Sequence, residues 1–345
     1  MFTQPAFRAA IVLAAAAFAN ARADVYEPAV YITELTDASR ARTMEVWIWG
    51  PAEPKGSTTT VAGNSVFEPV TGRTASSFVP GPHPLLVFFH GTSGNTRSIA
   101  WLSSALAARG YIVVSANHPG STSLQVTQES MMQTWLQAED GRFLIDTLLE
   151  SKQFAASIDA ERIGSIGFSL GGYSALAIAG VRLEIRMLQD FCRASPAEET
   201  CKLFPDSLYG PQVAGSPQNR DVSDSRIRAA VSLAPGFVPA LDPGSVADVD
   251  IPVLVMAGSE DEMLPVEHHA RALAGRFVRG EYVELSYVSH FSFLGRCTSG
   301  ALEILREENA EFLCHDPAGS SRQAIHDRAI RYITDFLDAS FNRGQ

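Results

Sequence analysis

From Leu85 onward, short apolar runs alternate with longer stretches of helical spacing. The runs are Leu85 to Phe89, Tyr111 to Ser115, Arg162 to Gly167, Ala229 to Leu233, Ile251 to Ala257 and Tyr282 to Val288. Helical spacing occupies Ser98 to Arg109, Glu139 to Ser151 and a small-residue stretch from Gly171 to Gly180, and Ser321 to Phe341 closes the chain as an amphipathic helix. Short apolar runs separated by helices fit strands buried on both faces of a parallel sheet. The pattern predicts an α/β fold, a doubly wound and mostly parallel sheet with helices on both faces. Upstream, Thr43 to Trp49 reads as a strand stopped by Gly50-Pro51. Residues from about Pro51 to Pro84, with a strand-like piece at Ser65 to Val70, read as a peripheral hairpin region.

Two stretches break the rhythm, about 182–226 and about 296–319. Both are polar, carry Pro or Gly and hold two cysteines each, so they read as insertions. At the other end, Met1 to Arg8 is a short basic start, and Ala9 to Ala19 is an apolar run too brief to span a bilayer. With small residues at Ala21 and Ala23, residues 1–23 read as a signal peptide and 24–345 as a single domain that carries no transmembrane anchor. The expected location is periplasmic or secreted.

Export changes how the four cysteines are read. In an oxidising compartment an even number points to disulfides, and of three possible pairings Cys192 with Cys201 and Cys297 with Cys314 each close a short loop within one insertion. A zinc site would need ligand spacings that are missing here. Loss of Arg8 and Arg22 takes the formal charge from −11 to −13, 25 basic against 38 acidic residues, and no basic stripe is present to neutralise phosphates. A nucleic-acid partner is therefore not expected; a small-molecule ester is.

The chemistry centres on Gly167-Phe168-Ser169-Leu170-Gly171, placed directly after a strand and before a helix. A strand-to-helix elbow holds a serine in a strained conformation, and neighbouring glycines leave room for it. A hydroxyl needs a base, and a base needs an orienting acid. Asp261, after the strand Ile251 to Ala257, is the candidate acid, with Glu260 or Glu262 as alternatives. His290, after Tyr282 to Val288, is the candidate base. His90-Gly91 ends an apolar strand and aims Thr92 N–H, together with Leu170 N–H, at a developing oxyanion. His90 then serves the turn and is not a second base. His268 and His269 read as surface residues of a helix after Asp261, and His315 and His326 have no assignable partner.

These motifs, with Trp49-Gly50-Pro51 and Asn117-His118-Pro119-Gly120, resemble those of the α/β-hydrolase group that holds platelet-activating-factor acetylhydrolase-like lipases and exported predicted dienelactone hydrolases. The likeness covers about Arg42 to Leu337. It implies ester hydrolysis through an acyl-enzyme and without a cofactor or metal. Position 169 is Ser, where true dienelactone hydrolases use Cys. The expectation is a serine carboxylic ester hydrolase acting on small or short-acyl esters through Ser169, Asp261 and His290. A lipase or phospholipase-like acetylhydrolase, polyester hydrolase or amidase with the same triad are alternatives, and a non-catalytic hydrolase-fold binding protein is the alternative of a different class.

Overall fold

A computed structural model describes residues 26–342, apart from 75, 204–206 and 210–218. The expected leader, residues 1–23, lies outside the described residues. The expected doubly wound α/β architecture is present. The strands are β1 (Pro28–Asp37), β2 (Arg42–Pro51), β3 (Ser57–Val61), β4 (Val70–Thr74), β5 (His83–Phe89), β6 (Ile112–Ala116), β7 (Ile158–Phe168), β8 (Ile227–Leu233), β9 (Val253–Gly258) and β10 (Gly280–Leu285). They form one ten-stranded sheet in the order β10-β9-β8-β7-β5-β6-β2-β1-β4-β3. From β6 to β10 every pairing is parallel, whereas β1–β2, β2–β6 and β3–β4 are antiparallel. The helices that matter to the site are α1 (Ala100–Ala107), α2 (Leu136–Glu150), α3 (Leu170–Ala177), α4 (Ile185–Ala194) and α5 (Arg322–Asn342).

Both faces of the sheet are covered, which is why its central strands read as unbroken apolar runs. All seven residues of β5 are buried. Leu85, Val87 and Phe89 pack with residues of α2, α3 and α4, while Leu86 and Phe88 pack on the opposite side with α1 and α5.

Several expectations shift in detail. The strand β1 has no counterpart in the sequence pattern: only Ala29, Val30 and Asp37 are buried, and its middle, Ile32 to Glu34, faces solvent. The hairpin upstream of β5 is made by β3 and β4, and Ser65 to Val70 is no strand. That piece is drawn into a turn by Asn64, whose Oδ1 accepts the N–H groups of Val66 and Phe67, and Phe67 bridges to Cys297. The strand expected over Tyr282 to Val288 ends at Leu285, because Tyr287 turns the chain with φ 58°.

The cysteines pair as expected, Cys192–Cys201 and Cys297–Cys314. The first bridge ties the end of α4 to a short helix at Glu199–Lys202, and the second closes the segment that holds the helix Ala301–Glu307. Among the described residues no helix is long and apolar enough to cross a membrane.

Three histidines are buried in their neutral form. Burial, with His118 alongside, pushes His90 down to about 3. Burial and the nearby Arg322 cation push His326 down to about 3. Burial pushes His269 down to about 4 against the pull of the Asp261 carboxylate. An unfolded histidine titrates near 6.5, so between that value and the folded one the unfolded chain binds more protons. The stability these groups contribute is complete above about pH 6.5 and is lost as pH falls toward 4 and 3, each histidine adding a slope of at most about 1.4 kcal/mol per pH unit. Urea unfolding midpoints should therefore be level above about pH 6.5 and drop steadily from there to about pH 4. A midpoint constant across that range would show that these side chains are not neutral and buried.

Candidate active site

The parallel register brings the ends of β5, β7 and β8 to one edge of the sheet, with Phe89 opposite Gly167 and Phe168 opposite Leu233. The loops that follow β9 and β10 emerge at the same carboxyl edge, the place where open α/β sheets build their sites.

Ser169 sits between β7 and α3 at φ 57° and ψ −118°, a left-handed conformation that side chains rarely adopt. It is held there from three directions. Its N–H donates to Leu233 O at 2.9 Å, and its own carbonyl accepts Gly236 N–H at 2.9 Å and Tyr173 N–H at 3.2 Å. The flanking glycines permit an elbow this tight. A Cβ at Gly167 would stand 1.9 Å from Gly171 O, and one at Gly171 would stand 2.1 Å from Phe89 O, both far inside contact distance.

The β10 loop carries His290 and the β9 loop carries Asp261. His290 Nδ1 lies 2.8 Å from Asp261 Oδ2, and His290 Nε2 lies 3.1 Å from Ser169 Oγ. A carboxylate can only accept, so Nδ1 bears the proton and Nε2 is free to accept the serine hydroxyl. Asp261 is buried, and its Oδ1 accepts Leu264 N–H at 2.7 Å, which fixes the carboxylate plane. Glu260 and Glu262, its neighbours, are exposed. The imidazole is 2% exposed and lies against Phe168 at 4.9 Å and Phe291 at 5.0 Å between ring centres. In this setting a serine proton has one short path, to a correctly oriented imidazole, with little water to intervene.

The His90-Gly91-Thr92 turn leaves β5 beside the serine: a Cβ on Gly91 would be 3.2 Å from Ser169 Cβ. His90 is fully buried. Its Nδ1–H donates to Gly91 O at 2.8 Å and its Nε2 accepts His118 N–H at 3.3 Å, so the ring braces the turn. Leu170 opens α3, where the first amides of a helix lack intrahelical partners.

Behind the turn lies a group of residues to which the sequence reading gave no role. Asp140, on α2, is fully buried and accepts His118 Nδ1–H at 3.0 Å and Arg42 Nε–H and Nη2–H at 2.8 and 2.7 Å, and it forms an ion pair with Arg40, whose Nη1 lies 2.8 Å away. Burial alone would raise this carboxyl, but the His118 and Arg42 hydrogen bonds hold it well below the usual carboxylate range. The sequence does carry a signal for it. Asp140 shares the buried stripe of α2 with Leu144 and Leu148, and an acid on an apolar stripe calls for a cation.

Two expectations about histidines need correction. His269 is not at the surface: it is fully buried against the rim of Phe191 of α4, and neither ring nitrogen has a hydrogen-bond partner among the described residues, whereas His268 is exposed. The tight turns after Leu264 fold His269 inward instead of continuing a surface helix. His326 stacks on Trp101 at 3.5 Å and its Nε2–H donates to Leu294 O, and the carbonyl of His315 accepts Ser289 Oγ–H at 3.1 Å beside His290.

Fold and site together define a serine hydrolase of the α/β-hydrolase fold. Residues 97–290, more than half of the chain, match the prolyl oligopeptidase family, and the chain belongs to that family. It is similar to a cutinase from Thermobifida alba, 23% identical over 267 residues that cover 74% of this chain and 70% of the relative. It also shares the fold of a ferulic acid esterase from Streptomyces cinnamoneus, with a TM-score of 0.64 at 18% identity over 93% of this chain and 91% of that one.

Proposed function

We propose that the protein is an exported serine carboxylic ester hydrolase working through an acyl-enzyme, with Ser169 as nucleophile, His290 as base and Asp261 as orienting acid. The observation that carries this reading is the unbroken hydrogen-bonded run from Asp261 Oδ2 through both nitrogens of His290 to the strained Ser169. His290 Nε2 takes the proton of Ser169 Oγ as that oxygen bonds to the ester carbonyl carbon, and the carbonyl electron pair moves onto oxygen. The N–H groups of Thr92 and Leu170 receive this oxyanion. On collapse the alkoxy carbon–oxygen bond breaks, and the alcohol departs with the proton from His290. Water then repeats the sequence on the acyl-enzyme, passing its proton to His290 and freeing Ser169 and the acid.

An ester, not a peptide, is the substrate favoured by the relatives: a cutinase in sequence and a ferulic acid esterase in fold stand beside a family named for peptide cleavage. The earlier resemblance to acetylhydrolase-like and dienelactone hydrolase-labelled proteins points the same way, toward small or short-acyl esters. The two disulfides support export, because such bridges persist in oxidising compartments. We also read residues 24–345 as one domain with insertions at about 182–226 and 296–319.

A substrate panel tests the assignment. Nitrophenyl acetate and butyrate should be hydrolysed with higher kcat/KM than nitrophenyl esters of long acyl chains, and the matching nitroanilides should react far more slowly than the esters. Anilides cleaved as fast as the esters would contradict the ester assignment.

A further inference from the structure

We propose that Gln137, with Ser174, is a positioning pair that sets the gap between the two halves of the oxyanion site. The inference rests on the reading just given, in which one half is the His90-Gly91-Thr92 turn and the other is the start of α3.

Gln137 stands in the first turn of α2, 3% exposed, behind both halves. Its Nε2 donates to His90 O at 3.3 Å and to Ser121 Oγ at 2.9 Å. Its Oε1 accepts from Ser174 Oγ at 2.8 Å, and that hydroxyl also lies 3.1 Å from Leu170 O. One amide therefore ties the carbonyl that precedes Gly91 to the helix turn that begins with Leu170. The two halves also meet directly, since a Cβ on Gly171 would come within 2.7 Å of His90 O. Contact limits how near they come, and the Gln137 bridge limits how far they part.

The chemistry of the pair is directional. A carbonyl oxygen only accepts, so the His90 side requires a donor. The Ser174 side requires an acceptor for a hydroxyl that is itself fully buried. An amide supplies both at once; a carboxylate or an alkyl group cannot. Loss of the pair leaves the chain of Asp261, His290 and Ser169 intact, because none of its hydrogen bonds runs through Gln137. The effect should fall on stabilisation of the oxyanion, hence on kcat and not on KM.

Three variants test this: Gln137→Leu, Ser174→Ala and Gln137→Glu. Deleting an oxyanion donor outright costs about 10²- to 10³-fold in kcat, and misplacing one should cost less, roughly 10- to 100-fold for Gln137→Leu and Ser174→Ala, with KM within about twofold of the parent. The double variant should lose little more than the worse single one, because both break the same bridge. Gln137→Glu provides a readout that a packing role would not move. As a carboxylate it faces the His90 carbonyl with negative charge, and as a carboxylic acid it donates its O–H to it. Its activity relative to the parent should rise as pH falls; taking the ratio at each pH cancels titration of His290, His90, His118 and Asp140, which both proteins share.

Wild-type kcat in folded Ser174→Ala, or a flat pH ratio for Gln137→Glu, would overturn the inference, as would KM rising in step with the loss of kcat. If Gln137→Leu does not fold, Ser174→Ala and Gln137→Glu decide. Reaction of the parent with a fluorophosphonate separates the two levels: a parent that is not labelled refutes the site itself, whereas a labelled parent whose variants are labelled at the same rate refutes only the positioning pair.

Discussion

Ser169→Ala should lower kcat for an activated acetate ester by on the order of 10⁴- to 10⁶-fold, down to the residual rate that binding and the oxyanion site sustain without a nucleophile. The substitution removes one oxygen and introduces no new group. Its backbone position is already occupied by a residue with a Cβ at φ 57°, and the three backbone hydrogen bonds that hold the elbow use no side-chain atom. Thermal unfolding should therefore stay within a few degrees of the parent. Turnover at the parent level in this variant would remove Ser169 from the reaction, whatever the geometry around it.

Asp140→Ala should be strongly destabilising. The carboxylate is completely buried and answers Arg40, Arg42 and His118 together. Removing one partner of a buried ion pair costs about 3–5 kcal/mol, most of it from the charge left behind. The lower end, about 3 kcal/mol, applies here, since Arg40 and Arg42 keep 22% and 13% of their side chains accessible and water can solvate part of the orphaned charge. Guanidinium unfolding should show that loss at pH 7 with the slope unchanged. A loss below about 1 kcal/mol would mean that the arginines relax to solvent at no cost, and that the cluster is not a structural support of the His90 turn.

Site and fold are legible in the sequence where a single residue type at a single place is needed. The glycines around Ser169, the strand before it and the loops after two later strands were legible because each follows from local pattern: an apolar run, a breaker, then a polar side chain. The cysteine pairs were legible for the same reason, each closing a loop within one segment. What stayed hidden depends on long-range partners. Gln137 looks like an ordinary helix residue, and the acid on the apolar stripe at Asp140 and the motif residue His118 name no partner, until folding stacks α2 behind the end of β5. A helix continued past Asp261 would leave His269 exposed; the turns after Leu264 place it against Phe191 instead. The strand β1 is not legible because few of its residues are buried and pairing with β2 along its whole length holds it in place.

The proposed reaction requires that Ser169 be the activated nucleophile. Treatment of the full-length protein with a fluorophosphonate probe, followed by peptide mass mapping, tests it without knowledge of the natural substrate. One adduct on the peptide containing Ser169, absent in Ser169→Ala and accompanied by loss of esterase activity in the same proportion, is the predicted result. Full activity after complete labelling elsewhere, or no labelling of a folded and active enzyme, would contradict it.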